Sequence, residues 1–144
     1  PPTPTPIRHS IMSASAKVVC VKPDLVWTVW PKVEAWVRSA MERGGLGLFE
    51  DVKEDVLNGD ALAWLVWDEP DLVGVVITQI TGNVCCIVAC GGDGVLKRLP
   101  LLKTIEQYAI AEGCARMRIM GRHGWLRALP DYRAHRIVLE KDLT

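Results

Sequence analysis

Between Ala61 and Cys90 the chain is almost continuously apolar and is cut twice by turn residues. No other stretch limits the fold as strongly. From Ala61 to Trp67, Leu62, Trp64 and Val66 alternate with Ala63, Leu65 and Trp67, so both faces of an extended segment are apolar. Asp68-Glu69-Pro70-Asp71 reads as a turn, and Leu72 to Ile80 as its hairpin partner. Thr81-Gly82-Asn83 is the next turn, and Val84 to Cys90 is a third uninterrupted β-type run. Three strands joined in this way form a meander. A sheet with two apolar faces needs a layer on each side.

The flanking segments supply those layers. Val18 to Val21 is a short β-rich run ended by Lys22-Pro23, and Asp24 suits a helix N-cap. From Leu25 to Met41, apolar residues fall at helical spacing: Val26, Val29, Trp30, Val33, Val37 and Met41. Pro31 either opens the helix proper or kinks it. Phe49, Val52, Val56 and Leu57 mark a second helix, stopped by Asn58-Gly59. Gly91-Gly92-Asp93-Gly94 breaks the third strand, and Val95 to Glu112 reads as a helix of about five turns. Pro100 sets its first turn apart, and Gly113 ends it. Arg116 to Met120 is a strand, Gly121 to Gly124 a turn, Trp125 to Leu129 a short helix, and Arg136 to Leu139 a last strand. Interleaved strands and helices predict an α/β (α+β) class, with a mixed, mostly antiparallel central sheet flanked by helices. Pro1 to Ala16, rich in Pro, Ser and Thr, is expected to be a flexible arm, and residues 17–144 a single domain.

Composition narrows the function classes. Lys+Arg 17 balances Asp+Glu 17, so the formal net charge is zero. A dedicated nucleic-acid binder needs a basic excess to meet phosphates, and none is present. Arg116, Arg118, Arg122, Arg127, Arg133 and Arg136 do bias the C-terminal third, as a solvated face or as a phosphate-facing patch. A surface near zero net charge resists association poorly, so a protein partner or a homo-oligomer is expected. No apolar run approaches the roughly 18 residues of a membrane span, and no secretory signal core is seen. The expected compartment is the cytoplasm. Five cysteines sit mostly in apolar runs; Cys86 and Cys90, four apart, would share a strand face at different heights. That spacing does not suit a metal, and buried thiols are expected.

The order of elements from Val18 to Leu143 resembles the GNAT acetyltransferase fold. Its most specific part is C-terminal. Glu112-Gly113-Cys114-Ala115 ends the long helix, Arg116-Met117-Arg118-Ile119 follows as a strand, and a Gly-Arg-x-Gly-Trp turn spans Gly121 to Trp125. Val138-Leu139-Glu140-Lys141 closes the pattern. It is similar to the small GNAT-like proteins of tailed bacteriophages and prophages. The resemblance implies acetyl-CoA as cofactor, held by a glycine loop after the third meander strand and by the helix N-terminus behind it. The matching residues are Cys90, Gly91, Gly92, Asp93, Gly94 and Val95. They lack the family's basic residue ahead of its spaced glycines, and Asp93 puts a negative charge where a diphosphate would sit. A helix cap and tight turn is the other reading of these residues. Many members use a tyrosine as acid from the short helix before the last strands; here Trp125 stands near that place, and Tyr132 is the remaining candidate. Glu50, Asp51 and Glu69 are candidate bases or surface charges, and His9, His123 and His135 are scattered.

Six tryptophans stand against two tyrosines and one phenylalanine. Trp27 and Trp36 lie off the centre of the first helix's apolar stripe and are candidate interface residues. The altered loop, the indole and the tryptophan excess together imply a non-catalytic or weakly catalytic GNAT-fold protein acting through protein contacts, in the host cytoplasm or in the virion. The alternative is an acetyl-CoA-dependent N-acetyltransferase acting on an amine.

Overall fold

In the computed structural model, residues 16–44, 47–94, 100–120, 124–135 and 137–143 are described. Strand β1 is Ala16–Cys20, and a single 3-10 turn at Pro23–Leu25 leads into helix α1, Val26–Gly44. Helix α2 is Phe49–Asn58. The meander follows as β2 (Leu62–Asp68), β3 (Asp71–Thr81) and β4 (Val84–Gly92). Helix α3 is Leu102–Ala111, β5 is Arg116–Ile119, and α4 is Gly124–Ala128. The sheet runs β1-β2-β3-β4-β5; only the β4–β5 pair is parallel. This is the mixed, mostly antiparallel sheet flanked by helices that the interleaving predicts. No described helix is long and apolar enough to cross a membrane.

Each face of the sheet has its own core. Val26, Trp30, Val33, Val37 and Met41 of α1 recur at helical spacing, and all five are buried. With Val52 and Val56 of α2 they cover Ala63, Leu65, Val75, Ile77 and Ala89. Helix α1 passes through Pro31 without ending. The bond lost there is the one to the Trp27 carbonyl, and Trp27 is 66% exposed, so water can replace it. Glu34 of α1 accepts from Lys53 of α2 at 3.3 Å, and the Arg38 guanidinium lies 4.0 Å from the centre of the Phe49 ring. On the opposite face Ile105 of α3 packs with Trp64, Val66, Val76 and Ile87. Trp64 donates its indole N–H to Thr78 Oγ1 at 3.0 Å and meets the Tyr108 ring edge-on at 5.2 Å. Thr78 is fully buried, so that bond satisfies a polar group that would otherwise cost stability. Trp64 and Trp67 point to opposite faces, as the alternation requires.

Three sequence expectations change. Gly91 and Gly92 do not break the third strand; they are its last residues, paired with Val75 and Gly74. The helix expected from Val95 begins at Leu102, behind a 3-10 turn at Pro100 and Leu101. Residues 95–99 lie outside the described ones. The expected last strand is not formed over the described residues 137–139, and Ile137 and Leu139 are 79% and 86% exposed. A β-rich run supplies strand propensity but not the partner edge a strand needs.

The β3–β4 glycines are tightly fitted. A Cβ on Gly92, whose φ is +132°, would stand 2.2 Å from the Val73 carbonyl oxygen and 2.4 Å from Gly74 Cα. Gly59, with φ +84° at the end of α2, has nothing within 4 Å of such a Cβ. Gly92→Ala is therefore expected to cost about 3 kcal/mol or more in urea unfolding, and Gly59→Ala about 1 kcal/mol. Equal losses would mean that β3 and β4 are not this close.

Candidate functional site

The sheet opens between β4 and β5. Their parallel register runs from Val84↔Arg116 to Ile87↔Ile119 and stops there. One further bond, from the Met120 N–H to the Ile87 carbonyl at 3.3 Å, closes the joint. Strand β4 continues to Gly92, paired with β3. The reason for the parting is a bulge: Ile77 pairs with Ala89 and Thr78 with Ile87, so Val88 is an extra residue in β4. A bulge bends and twists the strand that carries it. Beyond it β4 has no register partner among the described residues of β5.

The bulge also resets the alternation of side chains. Ile87 faces α3, Val88 and Ala89 face α1, and Cys90 faces α3 again. Cys86, next to Ile87 on the regular side, points away from α3 toward the Arg118 side of the sheet. Cys86 and Cys90 therefore lie on opposite faces, which corrects the expectation that they share one. Among the described residues no cluster of three or more His, Cys, Asp or Glu side chains could hold a metal ion.

Beside the opening lies an apolar cavity of about 40 Å³. Its walls include Ile87 and Cys90 of β4, Ile119 of β5, Leu101 and Leu102 at the start of α3, and Trp125 of α4. Burial pushes the Cys90 thiol up to about 12. Burial, with smaller contributions from Cys114 and Cys86, pushes Cys85 up to about 11. Both stay protonated near neutral pH and are not nucleophiles, and Cys90 serves as apolar wall. Arg118 lowers the Cys86 thiol but does not overcome burial, and that thiol is raised as well.

Of the expected cofactor residues, Cys90, Gly91 and Gly92 lie in β4, Asp93 and Gly94 form the turn after it, and Val95 is outside the described residues. The Asp93 N–H is given to the Val73 carbonyl at 2.8 Å, so that amide caps β3. A Cβ on Gly91 would stand 2.8 Å from the Trp36 carbonyl oxygen: the backbone of α1 rests on the strand at this point.

The remaining candidates are dispersed. Tyr132 donates its hydroxyl to Glu106 Oε2 on α3 at 2.7 Å. Burial, the bond to Glu106 and the Glu106 charge raise the Tyr132 hydroxyl far above its ordinary value. The Cys85 thiol adds a smaller upward contribution. Glu50 and Asp51 occupy the first turn of α2, where carboxylates suit the helix dipole. Glu69 pairs with Lys17 at 2.6 Å. Trp27 is exposed, whereas Trp36 is half-buried against the α1-side core. Arg116, Arg127, Arg133 and His135 are exposed and Arg118 is half-buried; Arg122, Arg136, His9 and His123 lie outside the described residues. Sequence reasoning missed Val88, Ile119, Leu101 and Trp125 as parts of the opening. An all-apolar run carries no mark of a bulge, because either parity looks the same.

No protein-family profile and no curated protein matches the sequence. Solved structures do. An aminoglycoside acetyltransferase from an uncultured soil metagenomic sample, in complex with sisomicin, superposes with a TM-score of 0.63 at 10% identity, over 90% of this chain and 97% of that one. Aminoglycoside N-acetyltransferase AAC(6')-Iy in complex with CoA gives 0.60 at 8%, over 92% and 98%. A Trypanosoma brucei acetyltransferase gives 0.59 at 12%, over 89% and 99%. At such identities the likeness is one of architecture. This chain has the GNAT acetyltransferase fold.

Proposed function

We propose that this chain binds acetyl-CoA in the β4–β5 opening and passes the acetyl group slowly to an amine. The observation that carries the reading is the opening itself: a strand bent away from its neighbour at Val88, beside an apolar cavity. Acetyl-CoA, when bound, supplies an activated acyl carbon and a thiolate leaving group. Two features of the chain fit it. The freed edge of β4 from Ala89 to Gly92 offers backbone groups to an extended amide-bearing arm, and Ile87, Cys90, Ile119 and Trp125 present apolar walls to a small acyl group. The diphosphate end fits less well, because Asp93 brings a carboxylate and its N–H is already bound to Val73. A structural neighbour, AAC(6')-Iy, is in complex with CoA, which supports CoA as the ligand by analogy of fold.

The slowness follows from what is not placed there. Among the described residues, no carboxylate, histidine or tyrosine lines the cavity. Holding two reactants together still lowers the barrier without a base. The acceptor amine then loses its proton to water, and kcat/KM should rise about tenfold per pH unit until the amine's own pKa is reached. A bell-shaped profile would instead mean that the protein supplies an acid and a base.

A second reading keeps the fold without the chemistry: a phage-type, non-catalytic protein, associated with the virion and acting through protein contacts. Exposed Trp27 and the committed Asp93 amide favour it. Calorimetry separates the two. Micromolar binding of acetyl-CoA, lost in Cys90→Phe while cooperative unfolding is kept, is the expected result. No heat at millimolar acetyl-CoA would leave the second reading. Gly92 is unsuited as the control, because any side chain there collides with β3.

Tyr132, pinned to α3, is assigned a structural role. Tyr132→Phe should lower unfolding stability by about 1–2 kcal/mol and leave acetyl-CoA affinity and turnover unchanged. A hundredfold fall in kcat would make it the acid.

A further inference from the structure

The cavity beside the opening extends farther under α3 than an acetyl group needs. Its walls draw on all five strands: Val18 of β1, Val66 of β2, Val76 of β3, Ile87 and Cys90 of β4, and Ile119 of β5. These six residues form three directly opposed pairs, Val18 with Val66, Val76 with Cys90, and Ile87 with Ile119. The cavity is therefore a slot across the sheet and not a dimple at the gap. Cys90 and Ile119, at the β4–β5 end, are half-buried, whereas Val66 and Val76 are 4% and 6% exposed. Val76 lies directly opposite Cys90 and so about 5 Å farther in.

The lining sets the chemistry of what can enter. No charged residue borders the slot, and burial keeps the Cys90 thiol protonated. An acyl group ending in a carboxylate would lose its hydration there and find no partner. A straight aliphatic chain instead gains from each methylene it buries. Size sets the length. A volume of about 40 Å³ holds about three groups the size of a water molecule or a methylene. An acetyl group places a single carbon beyond its carbonyl, and a butanoyl group places three. Valine at the inner positions keeps this space free, since a larger side chain at Val76 would occupy it.

We propose that the opening takes a butanoyl group in preference to acetyl, with its carbonyl at the β4–β5 end and its last carbon against Val76. The inference rests on the reading that the opening holds an acyl-CoA, and it makes Val76 the residue that sets acyl length. Cys90 is the wall that the chain passes on the way in.

Calorimetry on the full chain with acetyl-, propanoyl-, butanoyl-, hexanoyl- and succinyl-CoA tests it. Butanoyl-CoA should bind about tenfold tighter than acetyl-CoA, from two further buried methylenes. Hexanoyl-CoA should bind no tighter than butanoyl-CoA, and succinyl-CoA more weakly than acetyl-CoA. Val76→Ile, which adds one carbon to the floor, should make propanoyl-CoA the tightest ligand. Val76→Ala should let hexanoyl-CoA overtake butanoyl-CoA. Each result is a ratio of affinities within one protein, and cooperative urea unfolding checks that both variants fold. The wild-type series decides the matter even if a variant does not. Equal binding of acetyl- and butanoyl-CoA, a continued gain at hexanoyl-CoA, or ratios unchanged in both folded variants would overturn the length preference and leave the acyl-CoA reading standing. Silence from every thioester at millimolar concentration would overturn that reading and the length preference with it.

Discussion

The fold depends on one close approach, where α1, β3 and the end of β4 meet. Gly91 lets the Trp36 carbonyl of α1 rest on the strand, and Gly92 lies almost against the Val73 backbone of β3. Side chains at these two positions would push α1 off the sheet and β4 off β3. Because β4 is held on these sides, its far end cannot follow β5. The Val88 bulge supplies the bend, and the glycine contacts keep the bent strand in place. The opening is therefore a consequence of packing elsewhere and needs no residue of its own to hold it apart.

The chemistry of the opening follows from the same packing. Leu101, Leu102 and Ile105 at the start of α3 line the cavity with Trp125, and the Cys90 thiol that faces it remains neutral because a thiolate would lose its hydration there. A dry, uncharged wall suits an acyl group. It offers nothing to move a proton. Tyr132, which has the chemistry for that task, is held by Glu106 of α3. Among the described residues, the cavity and the Tyr132–Glu106 pair are separate features of the fold.

Much of the architecture was legible because it rests on periodicity. The stripe Val26, Trp30, Val33, Val37, Met41 requires a helix with one buried face, and all five residues are buried. Trp64 and Trp67 must point to opposite faces of one strand, and each lies in a different core. Element order led to the mixed sheet and, with the residue pattern from Glu112 to Trp125, to the GNAT resemblance. The site was less legible. Gly91 and Gly92 read as a break because glycine weakens a strand, but here the lack of a side chain is what admits α1 and β3. Cys86 and Cys90 read as neighbours on a face because alternation was carried straight through a bulge. Arg136 to Leu139 read as a strand from propensity, although propensity says nothing about which edge receives it.

By itself, then, the sequence determined most of the elements, the sheet's two apolar faces and the zero formal net charge of the chain, since these depend on local spacing and composition. Only the tertiary structure decided where β4 parts from β5, which side chains line the gap and where Tyr132 is held. Those depend on contacts between residues far apart in the chain. A one-residue bulge in an all-apolar run, or a missing Cβ under a distant helix, leaves no local signal in the residues that flank it.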